Sequence, residues 1–181
     1  MSDQKEPQGS CACGSGNQSS DQEERFETAL LRAALSRIRH KFLIMSGKGG
    51  VGKSSVAVTL ALTLARRGFQ VGLMDVDLHG PNVLRMLGLN QGLAPAADQL
   101  FLTLEEVPNL KVVSIEAFMP DRESAIIWRG PLKHSAIRQF ITDVNWGPLD
   151  YLLIDAPPGT GDEPLSVVQT IPEAEAIIVT T

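Results

Sequence analysis

One ten-residue stretch, Ser46-Gly-Lys-Gly-Gly-Val-Gly-Lys-Ser-Ser55, limits the possible folds more than any other part of the chain. Within it, Gly47-x4-Gly52-Lys53-Ser54 has the spacing of a phosphate-binding loop. Such a loop works only between a strand and a helix. Phe42-Leu-Ile-Met45 before it is a short apolar run that reads as a buried strand. Lys53 to about Arg67 is rich in Val, Leu and Ala without a breaker, and Gly68 follows where a C-terminal cap belongs. Glycines let the backbone fold into a concave nest of N–H donors, and the helix N-terminus adds partial positive charge. The candidate nucleotide-binding set is Gly47, Lys48, Gly49, Gly50, Val51, Gly52, Lys53, Ser54 and Ser55. Lys53 is placed to reach β- and γ-phosphates, and the Ser54 hydroxyl to bind Mg²⁺, a hard cation that prefers oxygen. A loop of this kind needs one lysine, so Lys48 requires a separate explanation.

The same alternation continues downstream. Strands are expected at Val71–Met74, Leu110–Ile115, Tyr151–Ile154 and Ala176–Val179. A helical turn is expected from Pro81 to Leu87 with Gly88 as its stop, and helices from Pro131 and over 162–171, while 89–108 reads as irregular. Buried strands alternating with helices predict an α/β fold, a doubly wound, mostly parallel sheet with helices on both faces. Ligands in such sheets bind beyond the carboxyl ends of the strands. The glycine loop, Asp75, Asp77 and Asp155 all follow strands, so one cleft should gather them. Asp155 follows four apolar residues and is the candidate Mg²⁺ carboxylate. One of Asp75 and Asp77, which end another strand, could orient attacking water or touch the metal shell, and Asp75 could equally be structural.

Residues 1–20 offer almost nothing to bury and read as a disordered tail. Residues 21–41 read as a helix and linker: Ser20-x-x-Glu23 is a capping-box pattern, Phe26, Leu30, Ala33, Ala34 and Ile38 recur at helical spacing, and Arg37, Arg39 and His40 suit a helix end. Residues 42–181 form the phosphate-loop domain, expected to lack its C-terminal portion because the sequence ends just after a strand. A net charge of −5 argues against a nucleic-acid partner. No apolar run approaches the ~18 residues of a membrane span, and MSDQKEPQGS has no apolar signal region, so a cytoplasmic, reducing location without membrane contact is expected. His40, His79 and His134 lack metal-ligand spacing and read as polar loop or helix-surface residues, while Trp128 and Trp146 read as packing anchors.

GKGGVGKSS with its early lysine resembles the deviant Walker-A ATPases, the superfamily of MinD, ParA and the nitrogenase iron protein. Three further segments resemble the Mrp/Nbp-type iron–sulfur cluster carriers within it: Asp75-Val-Asp-Leu-His-Gly-Pro-Asn82, Ile127-Trp-Arg-Gly-Pro-Leu-Lys133 with Asn145-Trp-Gly147, and Leu153-Ile-Asp-Ala-Pro-Pro-Gly-Thr-Gly-Asp-Glu-Pro164. The resemblance runs from about Arg37 to the end. It implies a homodimeric ATPase with weak intrinsic activity. It also implies uptake of a [4Fe–4S] cluster from an assembly scaffold and delivery to apo iron–sulfur client proteins. By position, Lys48 becomes the signature lysine that crosses to the partner's nucleotide, Asp77 falls in the first switch and Ala156–Glu163 in the second.

Carriers of this family hold the cluster with a CxxC pair well beyond the Walker-B strand, a region past Thr181. The cysteines present are Cys11 and Cys13. Clusters take four thiolates, so two per subunit could meet that need across a dimer. The alternative is a tail with incidental thiols. Two other functional readings stay open: a positioning ATPase like MinD or ParA, and a nucleotide-binding adaptor that does not hydrolyse.

Overall fold

The computed structural model describes residues 17–77, 80, 82–89, 102–104, 107–114, 131–159 and 162–181. The elements run α1 (Asn17–Ser36), β1 (Ile38–Met45), α2 (Lys53–Arg66), β2 (Val71–Asp75), α3 (Val83–Met86), β3 (Leu102–Leu104), β4 (Val107–Ser114), α4 (Pro131–Thr142), β5 (Leu149–Asp155), α5 (Asp162–Thr170) and β6 (Glu175–Ile178). They build one sheet in the order β3-β4-β2-β5-β1-β6. All neighbours pair parallel except β3, which runs antiparallel on the edge.

Side-chain alternation along the strands explains the layers. Leu43, Met74, Val113, Leu152 and Ile154 point to one face, where α1, α4 and α5 pack. Ile44, Leu73, Val112 and Leu153 point to the other, under α2 and α3. Burial on both faces is why the strands read as continuous apolar runs. The expected doubly wound architecture is therefore the observed one.

Several local expectations need correction. α1 begins at Asn17, upstream of the capping pattern; Ser20 has helical backbone, whereas a cap residue does not. The buried seam of α1 is Leu31 and Leu35, one helical turn apart, while Phe26 and Leu30 lie 66% and 46% exposed. Ile38 starts a strand instead of ending the helix, so residues expected as linker are the first half of β1. There the Lys41 ammonium is buried and bonds Glu173 at 3.0 Å. His40 is neither a loop nor a helix residue: its ring stacks on Tyr151 with centroids 5.2 Å apart. The irregular 89–108 contains β3 and the start of β4. α3 begins at Val83, and Pro81 lies outside the described residues, as do His79, Trp128, Cys11 and Cys13. His134 is in α4, as a helix residue.

Trp146 is a packing anchor as expected. It is 4% exposed, and its indole N–H donates to the Phe140 carbonyl at 2.8 Å. Its ring lies against β2 where the strand carries no side chain. A Cβ at Gly72 would sit 2.8 Å from Leu149 Cδ1 and 2.9 Å from both Leu152 Cδ1 and Trp146 Cζ3. Gly72→Ala should therefore overpack this core and cost about 1–3 kcal/mol. Denaturant unfolding checks it: an unchanged midpoint and slope would show that the layer yields freely.

Candidate functional site: a glycine-rich phosphate cradle with a buried lysine–carboxylate cluster

The strand order sets the site. β5 lies between β1 and β2, which puts Asp155 level with both Ile44 and Asp75. The loop after β1, the loop after β2 and the loop after β5 therefore meet at one edge. They surround a cleft of about 520 Å³, in the range of small-ligand pockets. Its lining includes Gly49, Gly50, Gly52, Lys53, Ser54, Ser55 and Asp77. Gly47, Lys48 and Val51 belong to the loop without lining the cleft, and Lys48 is exposed.

The loop has the conformation its glycines predict. Gly50 and Gly52 have φ of 78° and 89°, the left-handed region where a side chain is strained. A Cβ at Gly47, Gly50 or Gly52 would meet nothing within 4 Å. Open space above these three residues, with α2 starting at Lys53, makes a cradle of the size and polarity that a phosphate chain fills.

Lys53 lies at the base of the cradle. Its side chain is buried, 2.5 Å from Asp155 Oδ1 and 3.9 Å from Asp77 Oδ2. A buried ammonium persists only with such partners. Asp155 is itself fully enclosed. Burial raises its pKa above the ordinary carboxylate value, against the pull of Lys53 and of the neighbouring Ser54 hydroxyl. Its second oxygen, Oδ2, is buried and accepts no hydrogen bond among the described residues. That orphaned oxygen and the Ser54 hydroxyl make an all-oxygen donor pair of the kind Mg²⁺ selects, so the residues fit this ion.

Asp75 plays a different part. It is completely buried, accepts the Asp77 backbone N–H at 3.0 Å, and accepts the Ser114 hydroxyl at 3.4 Å. It thus fixes the turn that carries Asp77 toward the cleft. Sequence reasoning left Ser46, Gly80, Asn82 and Met86 without a role, and all four line the cleft, as does Pro158 from the segment expected as the second switch. Ser46, Gly80 and Asn82 fall within the motifs named above, so a signal existed for them; none marks Met86.

Burial, followed by repulsion from Asp155, pushes the Asp75 carboxyl up to about 7. In the unfolded chain it titrates near 3.8. Between these values the folded state binds the extra proton, so stability falls as pH rises, by up to ~1.4 kcal/mol per pH unit. Asp75→Asn keeps an acceptor for Asp77 and should flatten that slope between about pH 4 and 7. Equal slopes for wild type and variant in denaturant titrations would refute the assignment.

The family described as ParA, NUBPL iron-transfer P-loop NTPase, matches residues 37–181. An iron-sulfur cluster carrier protein of Methanococcus maripaludis is 46% identical over 98% of this chain and 62% of its own length. The cytosolic Fe-S cluster assembly factor CFD1 of Saccharomyces cerevisiae is 46% identical over 87% of this chain and 56% of its own. A nucleotide-binding protein of Archaeoglobus fulgidus, solved with ADP, superposes with a TM-score of 0.72 at 38% identity, covering 85% of this chain and 59% of that one. MinD of Pyrococcus furiosus superposes with a TM-score of 0.57 at 25% identity, over 78% of this chain and 59% of its own. The chain thus spans roughly half to three-fifths of the length of these relatives. With the matched segment covering the sheet and every loop of the cleft, the chain belongs to the ParA/NUBPL iron-transfer family of P-loop NTPases.

Proposed function

We propose that this chain is the nucleotide-hydrolysing part of an iron–sulfur cluster carrier: it binds ATP with Mg²⁺, hydrolyses it slowly as a homodimer, and couples turnover to moving a [4Fe–4S] cluster from a scaffold to apo client proteins. The observation that carries the ATPase half is the buried Lys53 at the base of the glycine cradle, held between Asp155 and Asp77. The cargo half rests on relatives named as cluster carriers and assembly factors at 46% identity, against 25% for MinD. That gap favours a carrier over a positioning ATPase.

Residue roles follow from position. The loop amides and Lys53 bind the phosphates and offset their charge. Ser54 and Asp155 hold Mg²⁺, which supplies further charge neutralisation when bound. Asp77 reaches the cleft from the β2 loop and orients water for in-line attack on the terminal phosphorus, where the new P–O bond forms as the bond to the bridging oxygen breaks. Lys48 stands exposed on the outer shoulder of the loop, so its ammonium is available to a second molecule's nucleotide. Loss of the terminal phosphate then releases the loop after β5, which changes how the cargo is held.

One experiment tests the ATPase half, and a second tests whether the tail cysteines hold the cargo. Lys48→Ala should keep nucleotide affinity and lose hydrolysis by ~10³-fold or more, whereas Lys53→Ala should lose both. Wild-type turnover in Lys48→Ala would remove the trans role. For the cargo, iron and sulfide reconstitution should be compared between the wild-type chain and the Cys11→Ser/Cys13→Ser double variant. Loss of the cluster absorption in the variant supports tail ligation; equal loading in both would sink it.

A further inference from the structure

Ser46 lines the cleft, and the proposed site leaves its hydroxyl unused. It directly follows β1 and precedes the first loop glycine. Its two polar groups face different tasks. The carbonyl accepts the Gly159 backbone N–H at 2.8 Å. Gly159 has φ of 107°, a conformation that side-chain-bearing residues rarely adopt, and lies four residues beyond Asp155. This hydrogen bond joins the phosphate loop to the loop after β5. Pro158, in that same loop, comes within 4.0 Å of a Cβ placed on Gly49.

The hydroxyl is different. Ser46 is only 3% exposed, yet its Oγ has no hydrogen-bond partner among the described residues, and the residue lines the cleft. A buried hydroxyl left in that state costs free energy unless something else satisfies it. Serine is not required by the backbone contact, since any residue at this position offers the same carbonyl. The hydroxyl is therefore left without a partner among the described residues, in a residue that lines the cleft.

We propose that Ser46 is a positioning residue that reads the terminal phosphate of the bound nucleotide. Its hydroxyl donates to a terminal phosphate oxygen, or to a water bound to one, while its carbonyl fixes the loop carrying Pro158 and Gly159. The terminal end is favoured over the inner phosphates by geometry. Ser46 abuts the loop that follows Asp155, the side of the cleft where Lys53 and the orphaned Asp155 oxygen converge. The inner phosphates instead face the N-terminus of α2, at Gly52 and Lys53. One residue thereby links the presence of that phosphate to the position of the second switch loop. The inference rests on the nucleotide-binding reading above.

The test uses the full chain with Mg²⁺, titrated separately with ATP and with ADP, on wild type, Ser46→Ala and Ser46→Cys. The alanine variant keeps the carbonyl and loses the donor. A hydrogen bond to a charged group predicts that it loses about tenfold to a hundredfold in ATP affinity, with ADP affinity within about twofold of wild type. The cysteine variant, with a weak donor of similar shape, should fall between. Protection of the Gly159 amide in hydrogen exchange should rise on ATP binding in wild type and not in Ser46→Ala, which a merely structural serine would not alter. Unchanged ATP affinity in both folded variants would overturn the proposal, as would equal losses for ATP and ADP. Failure of wild type to bind either nucleotide would instead overturn the nucleotide reading itself.

Discussion

A single buried ammonium organises the functional edge of this molecule. Lys53 is enclosed, and Asp155 at 2.5 Å and Asp77 at 3.9 Å are what make its charge tolerable there. The arrangement is not balanced, however. Asp75 lies beneath it, so three carboxylates share one lysine. Part of the excess is relieved by the proton that burial forces onto Asp75 near neutral pH. The remainder leaves an enclosed carboxylate oxygen on Asp155 without a hydrogen bond among the described residues. Adding a phosphate chain alone would worsen the repulsion. A dication resolves both problems, because it answers the orphaned oxygen and screens the phosphates from the aspartates. The cluster is thus built to be completed by a metal–nucleotide pair rather than by either component alone.

Topology decides that these groups meet at all. Asp75, Asp155 and the glycine loop are far apart in sequence, and each ends a different strand. They converge because β5 inserts between β1 and β2. Parallel registry then places Asp155 beside Asp75 on one side and Ile44 on the other. Gly72 serves the same end from within the core: by carrying no side chain it lets Trp146 and the start of β5 close against β2. Packing at the lower edge therefore sets the spacing of the carboxylates at the upper edge.

Much of this was legible in the sequence, for a physical reason. Strands buried on both faces leave apolar runs, and phosphate cradles need glycines at fixed spacing, so β1, β2, β5 and the loop announce themselves locally. Misreadings arose where the stabilising partner is distant. Arg39 and His40 look like the basic end of a helix and Lys41 like the linker after it, yet all three are strand. Lys41 is buried because Glu173 reaches it from the other end of the chain, and His40 is held by Tyr151 on β5. β3 is too short to show a period and exists only by pairing with β4. The α1 face was misjudged by one residue, because which stripe is buried depends on where α4 lies. Asp75 and Asp77 were indistinguishable by type, and only burial separates the carboxylate that shapes the loop from the one that reaches the cleft.

The two lysines of the loop were likewise equivalent as letters, and solvent distinguishes them. The turns at Gly50 and Gly52 carry Lys53 inward to the aspartates and leave Lys48 on the exposed shoulder. A buried ammonium is committed, since leaving its carboxylates would strand all of them in a poorly polarisable interior. An exposed one is not, because water compensates it in any position and it can move toward a new anion at little cost. That asymmetry suits a division of labour in which Lys53 serves its own nucleotide and Lys48 answers charge brought by a second subunit. It would also make the proposed trans contact reversible. Held only at the surface, Lys48 would gain a strong interaction when approach of a partner excludes water, and would lose it when the partner's phosphate departs.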